Sequence, residues 1–309
     1  MWHLVQQFAV SDAVQPAAEL AAMQRIDSLD DPRVAVYRNL RDRTLRGENI
    51  FVAEGPIVAQ RLLESRYQTE SVLVAAQRAE QFAAIVGGRA PVYVADEQLL
   101  RQIVGFPFHL GVLAAGRRKP LPGVEELLSD MLSPHQQAPA AQSDPAAIGA
   151  AAPVRLIVCP EITKPENMGL VCRSAAALGI DAVLLGARCC DPLSRRALRV
   201  SMGATMHVPL ACSDSLLADL TALRTHLGFQ LIAATTSPDA EKLPQFRWPA
   251  RAAVLLGNEF TGLSAECLRL CDRRVTIPMQ PTVDSLNLGV AAAICMYAMA
   301  TAGKSSTAG

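Results

Sequence analysis

Short, uninterrupted apolar runs alternate with longer amphipathic stretches in the second part of the chain. The apolar runs predict strands, and the stretches between them predict helices. The predicted strands are 155–159, 182–185, 230–235, 252–256 and 274–277, and the predicted helices are 168–178, 194–201, 213–226, 264–270 and 286–300. Because these strands are apolar throughout, we expect a parallel sheet that is covered on both faces. Ligands of such sheets bind beyond the carboxyl ends of the strands.

The first part of the chain follows the same pattern on a smaller scale. Its predicted strands are 49–54, 71–75, 91–95 and 111–115, and its predicted helices are 56–65, 81–86 and 96–104. Ahead of them, Asp30, Asp31 and Pro32 are typical of the start of a helix. The alternation predicts a small α/β unit, which we assign to residues 25–118.

A segment without apolar periodicity separates the two parts. Residues 133–153 are rich in Pro, Ala, Gln and Ser and carry the single charge of Asp144. Such a segment buries little surface, so we assign residues 119–153 to a linker or flexible insertion and residues 154–302 to a second domain. Two domains agree with a length of 309 residues, since about 150 residues per domain is typical.

Composition excludes two broad classes of protein. The 29 Lys and Arg residues balance the 29 Asp and Glu residues, which excludes a polycationic nucleic-acid binder. With 50% hydrophobic residues, the chain is also not disordered. Zero net charge does not exclude a local basic face.

The cysteines and the most apolar run give expectations about cofactor and location. The eight Cys residues form no CxxC pair, so we expect no metal site. Unpaired Cys in apolar runs suits a reducing cytosol, and residues 1–15 lack the pattern of a signal peptide, so we expect a cytoplasmic protein. The Ala-rich run 288–303 is too short to span a membrane, and we expect a buried or dimer-facing helix there.

A polar segment at 165–175 follows the strand 155–159 and opens a helix. We expect Asn167 to cap this helix and Arg173, nearly two turns later, to reach back along one face. Taken alone, the segment is explained as well by a capped helix with an ion-paired Arg.

Two further polar segments follow the last two predicted strands. In 254–264, Gly257 permits close approach of a ligand, and Glu259 needs a partner so close to a buried strand. This segment lacks the glycine patterns of dinucleotide sites and P-loops. In 277–288, Ser285 and Asn287 stand at the start of the apolar helix. A strand-end turn and a simple helix cap are the alternative explanations.

Together, the three segments resemble the three ordered motifs of the SpoU (TrmH-like) RNA 2′-O-methyltransferases. The matching residues are Asn167-x-Gly169-x-x-x-Arg173, Leu256-Gly257-Asn258-Glu259-x-x-Gly262 and Ile277-Pro278-Met279-x5-Ser285-Leu286-Asn287. The resemblance covers roughly residues 154–302, and three partial motifs in order are more specific than any one. More weakly, residues 51–55 and the following helix resemble the substrate-binding domain that precedes the catalytic domain in many members.

This resemblance implies a fold and an activity. The fold is α/β, with a C-terminal trefoil-knotted parallel-sheet SPOUT domain preceded by a small α/β RNA-binding domain. The activity is 2′-O-methylation of a ribose in RNA, with S-adenosyl-L-methionine held in the knot and no metal. The resemblance also implies a homodimer whose active site lies near the subunit interface.

The resemblance further assigns roles to residues. The residues assigned to catalysis are Arg173, Asn167, Glu259, Ser285 and Asn287, and those assigned to the cofactor are Thr235, Gly257, Asn258, Ile277, Met279 and Leu286. A ribose 2′-hydroxyl is a poor nucleophile, so it needs a base or a cation that favours its alkoxide. Arg173 carries this role. A permanently charged guanidinium suits alkoxide stabilisation, and action as a formal base stays open.

We expect RNA contacts from two groups of arginines. They are Arg33, Arg38, Arg41, Arg43 and Arg46 in the first domain and Arg195, Arg196 and Arg199 in the second. A solvated helix face is the alternative for the first group. A separate N-terminal domain of this size resembles the family members that act on large-subunit ribosomal RNA, which implies that substrate. The alternatives are a tRNA methyltransferase, a methyltransferase for antibiotic resistance and a non-catalytic RNA-binding paralogue, against which the full set of motif residues argues.

Overall fold

The computed structural model describes residues 23–40, 45, 48–132 and 153–302, which form two sheets with their covering helices. The strands are β1 Met23–Arg25, β2 Ile50–Glu54, β3 Thr69–Ala75, β4 Val92–Ala95, β5 Val112–Arg117, β6 Val154–Cys159, β7 Ala182–Gly186, β8 Leu210–Ser213, β9 Gln230–Ala234, β10 Glu241–Lys242, β11 Arg251–Leu256 and β12 Arg273–Thr276. The helices are α1 Pro56–Leu63, α2 Ala79–Val86, α3 Glu97–Val104, α4 Val124–Leu132, α5 Pro165–Leu178, α6 Arg195–Val200, α7 Leu216–Thr225, α8 Ala265–Leu270 and α9 Leu288–Thr301.

The C-terminal sheet has seven strands in the order β10-β12-β9-β11-β6-β7-β8, and every neighbouring pair is parallel. Alternate residues of β6 enter cores on opposite faces of the sheet. Ile157 packs with α5 and α9, and Leu156 packs with α4, α7 and α8. The predicted parallel sheet with two covered faces is confirmed.

The N-terminal sheet is smaller and mixed, in the order β1-β4-β3-β5-β2. Strands β1, β4 and β3 run parallel, whereas β5 is antiparallel to both β3 and β2. Helices α1 and α2 cover one face of this sheet, and α3 covers the other. The first predicted unit is therefore α/β, as expected.

Helix α4 lies inside the segment 119–153 that the sequence analysis assigns to a linker. Val124 and Leu128 are buried against the C-terminal sheet, where they pack beside β6 and β7. The apolar residues of α4 recur at helical spacing, but the Pro- and Ala-rich stretch that follows them dominates the composition of the segment. Residues 133–152, the part of the linker that is rich in Pro, Ala, Gln and Ser, lie outside the described residues.

Other differences from the sequence analysis are local. The segment after Asp31 forms only a short 3-10 helix, Pro32–Tyr37, because Arg38 turns to an extended conformation. Strands β1, β8 and β10 have two to four residues each, too few to give a periodic signal. The remaining predicted strands and helices are found, with ends that differ by a few residues.

Helix α6 joins the two sheets. Its Leu198 enters the core of the N-terminal sheet together with Leu193 and Met206. The buried carboxylate of Glu54, at the end of β2, accepts hydrogen bonds from Arg195 at 3.1 Å and Arg199 at 3.5 Å. The N-terminal sheet therefore packs directly on the C-terminal unit.

Within the ranges that the structure describes, no helix is long and apolar enough to cross a membrane.

Candidate active site

A cleft of about 690 Å³ opens at the carboxyl ends of β9, β11 and β12, where ligands of parallel sheets bind. The residues that the sequence analysis assigns to catalysis or to the cofactor and that line this cleft are Asn167, Thr235, Gly257, Asn258, Glu259, Ile277, Met279, Ser285, Leu286 and Asn287. The fold thus brings together residues from three motifs that are far apart in the sequence.

A chain of hydrogen bonds links the three motifs at one end of the cleft. Asn167 donates from Nδ2 to Oε1 of Glu259 at 2.6 Å, and Asn287 donates from Nδ2 to Oδ1 of Asn167 at 3.0 Å. The hydroxyl of Thr163 donates to the second carboxylate oxygen of Glu259 at 3.4 Å. Glu259 therefore has the partners that its position after a buried strand requires.

The helix caps differ from those expected. Asn167 is the third residue of α5 and is buried, so its side chain bonds across the cleft and does not cap the helix. At α9 the cap is Asn287, which accepts at Oδ1 from the backbone N–H groups of Gly289 at 2.9 Å and Val290 at 3.3 Å. Ser285, which precedes Asn287 by two residues, is exposed and does not cap the helix. Asn287 thus fixes the start of α9 and holds Asn167 at the same time.

The loop after β11 is a small closed hairpin. The backbones of Asn258 and Gly262 exchange two hydrogen bonds of 3.0 Å, and Oδ1 of Asn258 accepts from the N–H of Phe260 at 2.8 Å. Gly257 allows this closure, because a Cβ at that position would lie 2.6 Å from the carbonyl carbon of Gly262. The loop holds Glu259 in place through its backbone.

Arg173 lies outside the cleft. Its side chain is exposed, and Nη1 donates to the carbonyl of Val200 at 3.4 Å. The expectation that it reaches back along one helix face is wrong. Six helical residues turn through about 600°, which leaves Arg173 about 120° around α5 from Asn167. Within one copy of the chain, the structure does not bring Arg173 to the other motif residues.

The arginines assigned to RNA have partners within the protein. Arg33 bonds to the carboxylate of Asp31, and this hydrogen bond lowers the pKa of Asp31 to about 2. Arg38 is half-buried and donates to the carbonyl of Asp31 at 2.8 Å. Arg41, Arg43 and Arg46 lie outside the described residues.

In the second group, the arginines differ in exposure. Arg195 is largely buried, because its guanidinium is held by Glu54 and lies 5.0 Å from the ring centre of Phe106. Arg199 keeps more of its side chain exposed beside the same carboxylate. Arg196 is half-exposed and pairs with Glu166 at 2.7 Å. Arg196 and Arg199 therefore remain more accessible to RNA than Arg195.

Two of the cleft residues without a role in the sequence analysis form a pair at its rim. Phe260 is 76% exposed, and Nζ of Lys164 lies 4.7 Å from the centre of its ring. Nothing in the sequence marks them, because exposure of an aromatic side chain follows from the loop that carries it.

The cleft is lined by neutral polar and apolar groups, one carboxylate, Glu259, and one ammonium group, Lys164. Cys295 lies at its inner wall, where burial raises the pKa of the thiol to about 12, so the thiol stays protonated. Among the residues that the structure describes, no group of His, Cys, Asp and Glu side chains is arranged to hold a metal ion.

A parallel sheet with a polar cleft at the carboxyl ends of its strands defines an α/β protein that binds a small ligand there. The model of the SpoU rRNA methylase family matches residues 155–297. An uncharacterized tRNA/rRNA methyltransferase of Mycobacterium bovis is 36% identical over 89% of this chain and 91% of its own length. The chain belongs to the SpoU rRNA methylase family and is an RNA methyltransferase.

Two further proteins are similar to this chain. A 23S rRNA (guanosine-2′-O-)-methyltransferase, RlmB of Acinetobacter baylyi, is 29% identical over 67% of this chain and 76% of its own length. The crystal structure of an rRNA methyltransferase from Sinorhizobium meliloti with bound AdoMet superposes with a TM-score of 0.71, covering 91% of this chain and 98% of that chain. At 23% identity, this second likeness concerns the fold, which extends over both sheets.

Proposed function

We propose that this protein transfers the methyl group of S-adenosylmethionine to the 2′-hydroxyl of a ribose in large-subunit ribosomal RNA. The observation that carries the proposal is the hydrogen-bonded chain Glu259–Asn167–Asn287, which joins all three motifs at one end of the cleft. RlmB of Acinetobacter baylyi, a relative over most of its length, is a 23S rRNA (guanosine-2′-O-)-methyltransferase, which supports the choice of RNA.

The cleft fits the proposed cofactor. Its volume of about 690 Å³ lies within the range of small-molecule sites, roughly 300–1,000 Å³. Strand-end residues such as Thr235, Gly257 and Ile277 offer backbone groups for the adenosine, and Leu268 and Ala291 offer apolar walls. When bound, S-adenosylmethionine supplies a methyl group on a sulfonium, which is transferred by in-line displacement.

The protein's own residues position the ribose and stabilise its developing charge. Asn167, Glu259, Ser285 and Asn287 orient the nucleotide at the polar end of the cleft, and this positioning supplies much of the rate. Arg173 stabilises the alkoxide as a permanent cation. Because Arg173 lies on the outer side of α5, we propose that it acts at the cleft of a second copy of the chain.

A homodimer is therefore part of the proposal. Helix α9 supports the homodimer, because its large apolar side chains Val290 and Tyr297 are 46% and 61% exposed beside the cleft. A second copy of the chain would cover them. Within each copy, we propose that the C-terminal segment that carries Ser285 and Asn287 forms the trefoil knot that the family resemblance implies.

Arg173→Ala tests the assignment of the catalytic arginine. We expect methyl transfer to fall by about 10²- to 10³-fold, as for the loss of one charge-stabilising donor, while affinity for S-adenosylmethionine stays unchanged. The measurement pairs single-turnover transfer to an unmodified 23S rRNA transcript with calorimetric titration of the cofactor. The matched control is Arg224→Ala, because Arg224 lies on α7, across the sheet from α5. Near wild-type turnover of Arg173→Ala would contradict the role.

Two measurements separate the alternative functions. A non-catalytic paralogue would bind RNA without binding S-adenosylmethionine in the titration. Mapping of 2′-O-methyl groups in total RNA from a deletion strain identifies the substrate. If the protein methylates tRNA, the deletion strain lacks a methyl group in tRNA and its ribosomal RNA remains fully modified.

A further inference from the structure

An aromatic ring stands exposed at the rim of the cleft. Phe260 is 76% exposed, although large apolar side chains are usually buried. It directly follows Glu259, so the two Cα atoms are about 3.8 Å apart. Anything that packs on this ring lies beside the polar end of the cleft.

The loop that carries Phe260 is closed by its own hydrogen bonds. Besides the two backbone bonds between Asn258 and Gly262, Oδ1 of Asn258 accepts from the N–H groups of Phe260 at 2.8 Å and Thr261 at 3.4 Å. The tight approach at Gly257 further limits movement of the loop. A ring presented by such a loop loses little conformational entropy on binding, which favours its use as a contact.

A cation accompanies the ring. Nζ of Lys164 lies 4.7 Å from the ring centre, and both residues line the cleft. An aromatic face stacks on any base, and a neighbouring cation attracts the phosphate, so the pair matches the two chemical parts of a nucleotide. Lys164 directly precedes α5, the helix that carries Asn167, so the ring and the cation border the same reaction site.

We propose that Phe260 stacks on an unpaired RNA base beside the methylated ribose, with Lys164 binding the adjoining phosphate. This inference rests on the proposed function and adds the contact that fixes the base. RNA whose bases are unstacked is recognised in this way, and a stacked base would hold its own ribose near Glu259 and Asn167. Phe260 and Lys164 lie at the exposed rim of the cleft, where a large substrate such as RNA can reach them. A small cofactor would lie deeper in the cleft, towards Cys295.

Substitutions at Phe260 test the stacking. Binding of a short single-stranded oligo(A) to the cofactor-loaded full-length protein is measured for Phe260→Leu and Phe260→Trp. Loss of one stacked base weakens binding by about 5- to 150-fold, so we expect this fall for Phe260→Leu. Phe260→Trp keeps a stacking surface, and we expect it to bind within about threefold of wild type. Its tryptophan emission should be quenched when RNA binds.

A change at Lys164 separates stacking from charge. Lys164→Gln removes one phosphate contact, so the salt dependence of oligo(A) binding should become shallower by about 0.7 in the log–log slope. Phe260→Leu should leave that slope unchanged. Both variants should bind S-adenosylmethionine as wild type does, and kcat/KM on a 23S rRNA transcript should fall mainly through KM.

Three results would overturn the inference. The first is oligo(A) affinity of Phe260→Leu equal to that of wild type, and the second is no quenching in Phe260→Trp. The third is conversion of a dimer to a monomer in light scattering of Phe260→Leu, which would place the ring in an interface between copies. If wild type itself fails to bind S-adenosylmethionine, the proposed function fails as well, which distinguishes the two failures.

Discussion

At the scale of single residues, the site depends on two amide side chains, each of which makes hydrogen bonds with both its oxygen and its nitrogen. Asn287 caps α9 with its oxygen and holds Asn167 with its nitrogen. Asn167 in turn uses its oxygen towards Asn287 and its nitrogen towards Glu259. Because these side chains hold one another through hydrogen bonds, a change at any member disturbs the orientation of the others.

Gly257→Ala tests how far the loop after β11 determines cofactor binding. The new Cβ would lie 2.6 Å from the carbonyl carbon of Gly262 and 2.7 Å from the backbone nitrogen of Leu263, so the loop must shift. We expect a loss of about 1–3 kcal/mol in the free energy of unfolding and weaker binding of S-adenosylmethionine. Thermal unfolding and calorimetric titration measure the two effects.

The matched control is Gly123→Ala, since a Cβ at Gly123 meets nothing within 4 Å. It should change the free energy of unfolding by less than about 1 kcal/mol and leave cofactor affinity unaltered. Equal affinities of the Gly257 and Gly123 variants would mean that the loop does not shape the cofactor site.

Which residues share the site could be predicted from the sequence, but their contacts could not. The ordered motifs identify Asn167, Glu259 and Asn287, and all three lie in one cleft. Asn167 does not cap its helix as expected, because a side chain that can cap can equally bond to a distant partner, and the sequence does not contain that partner's position. Phe260 was missed because the exposure of an aromatic side chain follows from the conformation of the loop that carries it.

At the scale of elements, α6 is the joint between the two sheets. It is only six residues long, yet it carries Leu198 into one core and two arginines to the buried carboxylate of Glu54. Its C-terminal residue Val200 also accepts from Arg173. Amphipathic spacing alone would not predict a helix that packs between two sheets, and the sequence analysis assigned its arginines to RNA.

Glu54→Ala tests the joint. It leaves the largely buried guanidinium of Arg195 without its carboxylate, so we expect a loss of about 2–4 kcal/mol in the free energy of unfolding. Urea unfolding measures the change. The matched control is Glu97→Ala, which removes the exposed pair with Arg101 and should cost about 0.5 kcal/mol or less. Similar losses for the two variants would show that Glu54 does not hold the sheets together.

At the scale of the whole molecule, α4 changes where the methyltransferase unit begins. The motifs lie within residues 164–295, so a fragment of residues 152–309 contains the entire cleft. That fragment lacks Val124 and Leu128, which are buried against the C-terminal sheet. We expect a fragment of residues 119–309 to be the more stable by at least about 3 kcal/mol, since burial of each such side chain contributes roughly 1.5–3 kcal/mol.

Melting temperatures of the two fragments measure this difference, and both should bind S-adenosylmethionine. The same melting temperature for both would mean that α4 does not stabilise the sheet in solution. The sequence analysis assigned α4 to the linker because its few apolar residues precede a long stretch rich in Pro and Ala. The sheet itself was predictable, because each of its longer strands is a continuous apolar run.

The parallel order of the C-terminal sheet has a consequence for the synthesis of the protein. Strand β6 pairs with β11 in a register that joins Val154 to Arg251, 97 residues later in the chain. At roughly 5–20 residues per second, the ribosome needs about 5–20 s to deliver that partner. Throughout this time one edge of β6 has no neighbour, and its apolar side chains face whatever is nearby. The central pairing of the sheet is therefore also the step at which folding competes most directly with aggregation in the cell.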